Sequence, residues 1–436
     1  MGSLIRKHWG IVLLIFVALA YIIPYYLAVP QKKSPVTELY FADRITEAHR
    51  LLIDKYNRLH AGAVKVIPTD FANEDFNTDE RKEILARSLR GEGDGIDVFA
   101  VDVIWVPRFA KWAEPLGAYF SDAQLSKITT LAMQTCYSDS QLVSIPLVRD
   151  QGALFYREDL LKALPGGASL IRKLESGMTW TQFLGFRKTA ASAGPYYTFP
   201  AADYEGFICS FYEHLLSLNP DYTAEHGFDF RTPEAARALQ HMVDLVHVSR
   251  ASPADVTTFT EVPSFQYFIE RNGLFIRGWT TYERDFEMTP VDVEKQRRLR
   301  IAPLPHMQGG RPASVLGGWD LMISKFSTKK AAAADFIRFL LEEESQEILY
   351  AKGGYYPVLN SFYEDSLCLK KYPEIRMVKR LLASGVYRPL SKEYTKYSKI
   401  MSHYFLLAMK NRISVAAALE QITRAVNSDK MLVDIY

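Results

Sequence analysis

Cysteine is scarce: Cys136, Cys209 and Cys368 are all that 436 residues contain. They are far apart, fit no metal-ligand spacing and make no CxxC, which excludes a disulfide framework and a dithiol redox motif. They read as small buried apolar residues, with a single bridge between two of them as the alternative. An excess of either charge is also missing, since 52 Lys and Arg face 50 Asp and Glu. A nucleic-acid or strongly acidic partner is therefore not called for. The chain has no GxSxG elbow, HExxH, Walker loop, Cys/His cluster or EF-hand loop, and its nine histidines are scattered without ligand spacing. Neither a metal nor a cofactor is expected, and the chain does not read as an enzyme. Internal repeats and low-complexity runs are absent too.

The carboxylates that do cluster, Glu158-Asp159 and Glu342 to Glu344, sit at helix starts or on exposed faces, where the helix dipole and solvent account for them. Gly91, Gly93 and Gly95 follow a helix and precede a strand, the wrong order for a phosphate-cradling loop. They read as a helix stop. What remains is a set of polar and aromatic residues near strand ends and turns, with no nucleophile among them. Such a set suits binding better than turnover.

The length allows two domains, each with its own core. Val36 to Phe41 reads as a strand and Thr46 caps a helix to about His60. Ala63 to Ile67 is the next strand, completing a βαβ opening. A charged amphipathic helix from Asp79 ends at the glycines, and Ile96 to Val101 is a buried strand. The centre of the chain is Ile145 to Leu161, in which a strand carries Arg149-Asp150 and passes into a helix start. A charge pair inside a buried strand is costly, so this stretch reads as a crossing between lobes that opens onto a cleft; an edge strand with a surface ion pair is the alternative. Further on, Thr179 to Gln182 is a capping box, Thr232-Pro233 starts a long helix, Ser264 caps a short one, and Leu316 to Ser324 returns as a strand. The expected division is an N-terminal segment 1–33, a first lobe of 34–146 plus about 300–326, and a second of 147–299 plus about 327–436.

Arg6, Lys7 and His8 precede an uncharged run from Trp9 to Pro30, long enough for a bilayer span, and Lys32-Lys33 close it. The cleavage signals are poor. An uncleaved membrane anchor is the first reading and a cleaved signal the second; either puts the globular part outside the cytoplasm.

The order of these segments resembles the family 1 extracellular solute-binding proteins of ABC importers, and within them the trehalose and maltose type of sugar-binding branch. The carriers are ERKEILARSLRGEGDGIDVFAVDVIWVPRFAKWAEPL, PLVRDQGALFYREDLL, MTWTQF, DYEGFICSFYEHLLS, NGLFIRGW, and IAPLP through LGGWDLMISKFSTKKAAAADFIRFLLEEESQEILYAKGGYYPV. The resemblance implies an α/β protein with the two-lobe periplasmic-binding-protein type 2 fold, crossing hinge strands, and one hydrophobic helix ahead of it. It implies a monomer that captures a di- or oligosaccharide between its lobes and delivers it to ABC permease subunits, in the periplasm or at the cell surface. A membrane-tethered sensor built on the same fold is the second functional reading. Carried over by position, the sugar contacts fall on Asp43, Arg44, Asp102, Trp105, Asp150, Glu205, Trp279 and Trp319. The chain departs from the branch at Gly278, where an asparagine is usual, at Val358-Leu359, where a small polar residue and an arginine are usual, and at Asp320, which adds a charge beside Trp319.

Overall fold

The computed structural model describes residues 14, 16–20, 35–71, 78–190, 194–282 and 292–428. The expected anchor or signal over 1–33 lies almost wholly outside them, and among the described residues no helix is long and apolar enough to cross a membrane.

The chain opens with β1 (Thr37–Asp43), α1 (Glu47–Leu59), β2 (Val64–Asp70), α2 (Thr78–Arg90) and β3 (Val98–Asp102). Parallel pairing of β1 with both β2 and β3 makes this a βαβαβ unit. Thr46 caps α1, its hydroxyl meeting His49 Nδ1 at 2.8 Å, and the 3.6-residue period buries Ala48, Leu52, Ile53 and Tyr56. The glycine stop after α2 holds: Gly93 and Gly95 take φ of 91° and 82°, a conformation that ends a helix and that side chains resist.

A small hairpin, β4 (Tyr137–Ser138) and β5 (Gln141–Leu142), leads to β6 (Ile145–Arg157), the long strand at the centre of the molecule. Its first half pairs with β10 (Ser314–Ile323); its second half pairs with β8 (Phe275–Trp279) and β9 (Leu299–Ala302). The full order is β2-β1-β3-β10-β6-β8-β7, where β7 is Tyr197–Thr198, and β11 (Gly385–Val386) pairs with β10. β6 and β10 are thus shared by the two halves, which makes them the crossing strands. Side chains on a strand alternate between faces, so the Arg149-Asp150 pair cannot point one way.

Beyond the crossing come α3 (Glu205–Leu218), α4 (Pro233–His247), α5 (Lys330–Leu340), α6 (Glu343–Gly353), α7 (Tyr394–Met409) and α8 (Val415–Val426). Thr232 caps α4 as expected, accepting from Ala235 N at 3.2 Å. The helix expected from Ser264 begins instead at Glu261, because Pro263 is tolerated in a first turn. The lobe boundaries differ from the expected ones at two places. Helices α5 and α6 bury Phe336, Ile337, Phe339 and Leu349 with Phe41, Leu52 and Tyr56, in the first lobe's core. Residues 300–302, expected in the first lobe, belong to β9 on the second-lobe half of β6. Helical periodicity shows that a helix buries a face; it does not say against which lobe. The three cysteines are free thiols, Cys136 and Cys209 among them buried.

Candidate binding site between the lobes

Asp43 and Asp102 stand at the carboxyl ends of β1 and β3, where open α/β sheets hold ligands. Trp319 on β10 is the register partner of Asp102. The three belong to a wall whose other members come from α2. Arg81 and Lys82 are 6% and 4% exposed, and each lies over a tryptophan: the Arg81 guanidinium is 4.3 Å from the Trp319 ring and Lys82 Nζ is 4.1 Å from Trp105. A small pocket open to solvent is lined here by Arg81, Lys82, Asp102, Trp105 and Trp319.

The carboxylate of Asp43 is committed to its own lobe. It accepts from Arg81 Nη2 at 3.2 Å and from the Arg44 amide at 2.7 Å, and lies 3.4 Å from His49 Nε2. Burial lowers the pKa of His49 against the pull of Asp43. Arg44 is half-buried beside it. Asp43 therefore orients Arg81, which in turn covers one face of Trp319.

A second patch forms where β6, β8 and β10 meet. A Cβ placed on Gly317 would collide with Asp150 Oδ1 and come within 3.1 Å of Trp279 Cζ3, so the glycine, the carboxylate and the indole share one small space. Trp279 is held on its other sides. The Arg277 guanidinium lies 4.2 Å from its ring and is itself fixed by Glu213 at 2.8 Å, while its indole donates to the carboxyl of Glu261. Burial pushes the Glu261 pKa up despite hydrogen bonds from Tyr204 and Trp279. Asp150, Trp279 and Trp319 are all half-buried. Each of the three expected tryptophans has a cation over one face, an arrangement that fixes its plane by about 0.5–2 kcal/mol.

Glu205 and Trp105 are engaged differently from the expectation. Glu205 accepts from Arg388 Nη1, from Tyr394 OH at 2.7 Å and from the Ser398 hydroxyl. Trp105 is 2% exposed, with Tyr394 edge-on at 5.4 Å. Arg388 Nη2 reaches Asp102 at 3.5 Å, and Asp102 also accepts from the Ile104 amide at 3.0 Å; burial still pushes its pKa up. Asp102 and Trp105 thus meet Glu205, Arg388 and Tyr394 at a seam between the lobes.

The charges at the crossing separate as alternation demands. Asp150 joins Trp279, whereas Arg149 turns to the opposite face and pairs with Asp320 at 2.7 Å. Asp320 is fully buried and also accepts from Thr135 Oγ1 at 2.8 Å. Its charge, expected to alter the surroundings of Trp319, belongs to the packing behind the strand. A register shift between Trp319 and Asp320 and the unusual φ of Gly318, 128°, mark the bend.

Sequence reasoning had not singled out Arg81, Lys82, Glu261, Arg388 or Tyr394. For the first two a signal existed: they precede Leu85 by four and three residues, so helical geometry puts both on the apolar stripe that continues to Leu89. A cation on a buried stripe is expected to have a specific task.

Residues 42–347 match the family described as bacterial extracellular solute-binding protein. A probable ABC transporter-binding protein of Deinococcus radiodurans is 25% identical over 338 residues, 74% of this chain and 76% of that protein. Among solved structures, maltose-bound MalE3 of T. maritima superposes with a TM-score of 0.76 at 25% identity, covering 89% of this chain and 98% of that one. The cyclic α-maltosyl-1,6-maltose binding protein of Arthrobacter globiformis shares the fold, with a TM-score of 0.71 at 22% identity over 90% and 98% of the two chains. With these two shared strands and a polar, tryptophan-lined gap beside them, the chain belongs to the bacterial extracellular solute-binding protein family.

Proposed function

We propose that this protein binds a sugar between its lobes, outside the cytoplasm, and delivers it to the permease of an ABC importer. The observation that carries the reading is the Asp150, Trp279 and Gly317 patch, with Trp319 two residues along the same strand as the glycine. A pyranose offers C–H faces and a rim of hydroxyls, so it needs flat apolar plates with planted acceptors beside them. Trp279 and Trp319 are such plates, each with one face already occupied by an arginine and its edge half-buried. Asp150 is the acceptor, and a hydroxyl donating to a desolvated carboxylate gains about 1.5–3 kcal/mol. A few such contacts with stacking reach about micromolar affinity, near −8 kcal/mol, after ordering costs. The maltose held by the T. maritima relative agrees with this ligand class.

The run from Trp9 to Pro30 would keep the binding lobes at the membrane surface, close to the permease. Fractionation of cells together with the mass of the mature chain tests this: an intact chain in the membrane fraction supports the tether, and a chain lacking the run overturns it. Titration calorimetry of residues 35–436 against mono-, di- and oligosaccharides tests the ligand class. Saturable binding that is lost with Asp150→Ala supports the proposal. Silence across a broad panel from a folded protein overturns it.

A further inference from the structure

We infer that Arg388 sets the length of the ligand, by closing one end of the interlobe cleft and restricting it to mono- and disaccharides. This rests on the sugar-binding reading and specifies it. Asp102, on the first lobe, and Glu205, on the second, are the two carboxylates that Arg388 reaches at this end. The Arg388 guanidinium lies between them, with Nη1 on Glu205 and Nη2 3.5 Å from Asp102, and its side chain is 2% exposed. Tyr394 and Ser398 take further acceptor sites on Glu205. A carboxylate has about four lone-pair positions, so three protein donors in a 7% exposed side chain leave Glu205 little to offer a hydroxyl. The plate at this end is likewise used up. Lys82 covers one face of Trp105, Tyr394 meets it edge-on, and 2% of the residue is exposed.

The same seam is held by neighbouring side chains. Arg108 of the first lobe donates to Thr395, the residue after Tyr394, while also pairing with Glu83 at 3.1 Å, and Tyr387, the residue before Arg388, accepts from Arg149 Nε at 3.1 Å. Arg388 is thus positioned from both sides and is part of the wall. What stays half-buried, and so within reach of a ligand, is Asp150 with Trp279, and Trp319 two residues along β10 from Gly317.

The test is a length series of α-linked glucose oligomers from one to five units, with calorimetry on the wild type, on Arg388→Ala, and on the charge-neutral double variant R388M/E205Q, which removes the Arg388–Glu205 pair together should the single variant fail to fold. The inference predicts that the wild type binds the mono- or disaccharide at least tenfold more tightly than the tetra- and pentasaccharide. It also predicts that either folded variant gains tenfold or more on the longer members and changes little on the shorter. A wild type that holds the pentasaccharide as tightly as the disaccharide overturns it, and so does a variant series superimposable on the wild type. Binding with a flat series removes this inference and leaves the sugar-binding reading in place, whereas silence at every length removes both.

Discussion

The buried pair of Arg149 and Asp320 makes a sharp prediction, because stability and binding should respond to it in opposite ways. Asp320 is 0% exposed and Arg149 3%, and their 2.7 Å contact sits behind β10, on the face away from Trp319. Asp320→Ala strips the guanidinium of its counter-charge in a place water does not reach. Breaking a buried pair from one side costs about 3–5 kcal/mol. Arg149 retains neutral acceptors in the Val148 carbonyl at 2.9 Å, Thr135 at 3.0 Å and Tyr387 at 3.1 Å, which places the loss toward the lower bound. In urea unfolding followed by circular dichroism, Asp320→Ala should lose about 3 kcal/mol, and R149M/D320L, which removes both charges, should recover at least half of it. Sugar affinity of the folded single variant should stay within about threefold of the wild type, a difference under about 1 kcal/mol. A loss of stability below about 1 kcal/mol, a double variant no better than the single one, or a folded Asp320→Ala protein without sugar binding would refute the reasoning.

Other outcomes follow from the same geometry. Asp150→Ala removes a charge-assisted acceptor worth about 1.5–3 kcal/mol, so calorimetry should show affinity falling by one to two orders of magnitude with the melting temperature little changed. Gly317→Ala puts a methyl group where Asp150 Oδ1 and Trp279 now lie, and should weaken binding about tenfold by displacing the acceptor and the indole beside it. Acidification should destabilise the second lobe. Burial lowers His214 from 6.5 to about 4, so its contribution is complete above pH 6.5 and is lost as the pH falls toward 4, where the unfolded chain takes up a proton that the folded one refuses. A shift of that size corresponds to about 3 kcal/mol, and urea midpoints between pH 7 and 4 should show the decline in the wild type and less of it in His214→Gln.

Much of the fold was legible in the sequence because it is written locally. The Thr46 and Thr232 caps, the glycine stop after α2 and the proline at the start of α4 are each decided by a few adjacent residues. The lobe assignment of α5 was not legible, since Phe336 and Phe339 announce an apolar face and say nothing of Phe41 and Tyr56, nearly three hundred residues earlier. The site divided in the same way. Asp150 and Trp279 share the space beside Gly317, a meeting of three strands that no local pattern announces. The Arg149-Asp150 pair was read as a unit opening on the cleft, yet the two-residue period of β6 sends its members to opposite faces. Glu205 and Trp105 were expected to meet a ligand, but Arg388 and Tyr394 reach them first, and these come from a segment with no motif of its own. Long-range competition for a carboxylate leaves no mark on the sequence around it.

The core of the first lobe also imposes an order of events on synthesis. Tyr56 OH donates to Asp335 Oδ2 at 3.0 Å across 279 residues of chain, and the Phe336 and Phe339 rings close over the same tyrosine. Until α5 has left the ribosome, the βαβαβ opening has only part of its apolar surface covered. At roughly 5–20 residues per second that interval is about a quarter of a minute to a minute. The first lobe therefore completes its core only when its last helices arrive, late in the chain.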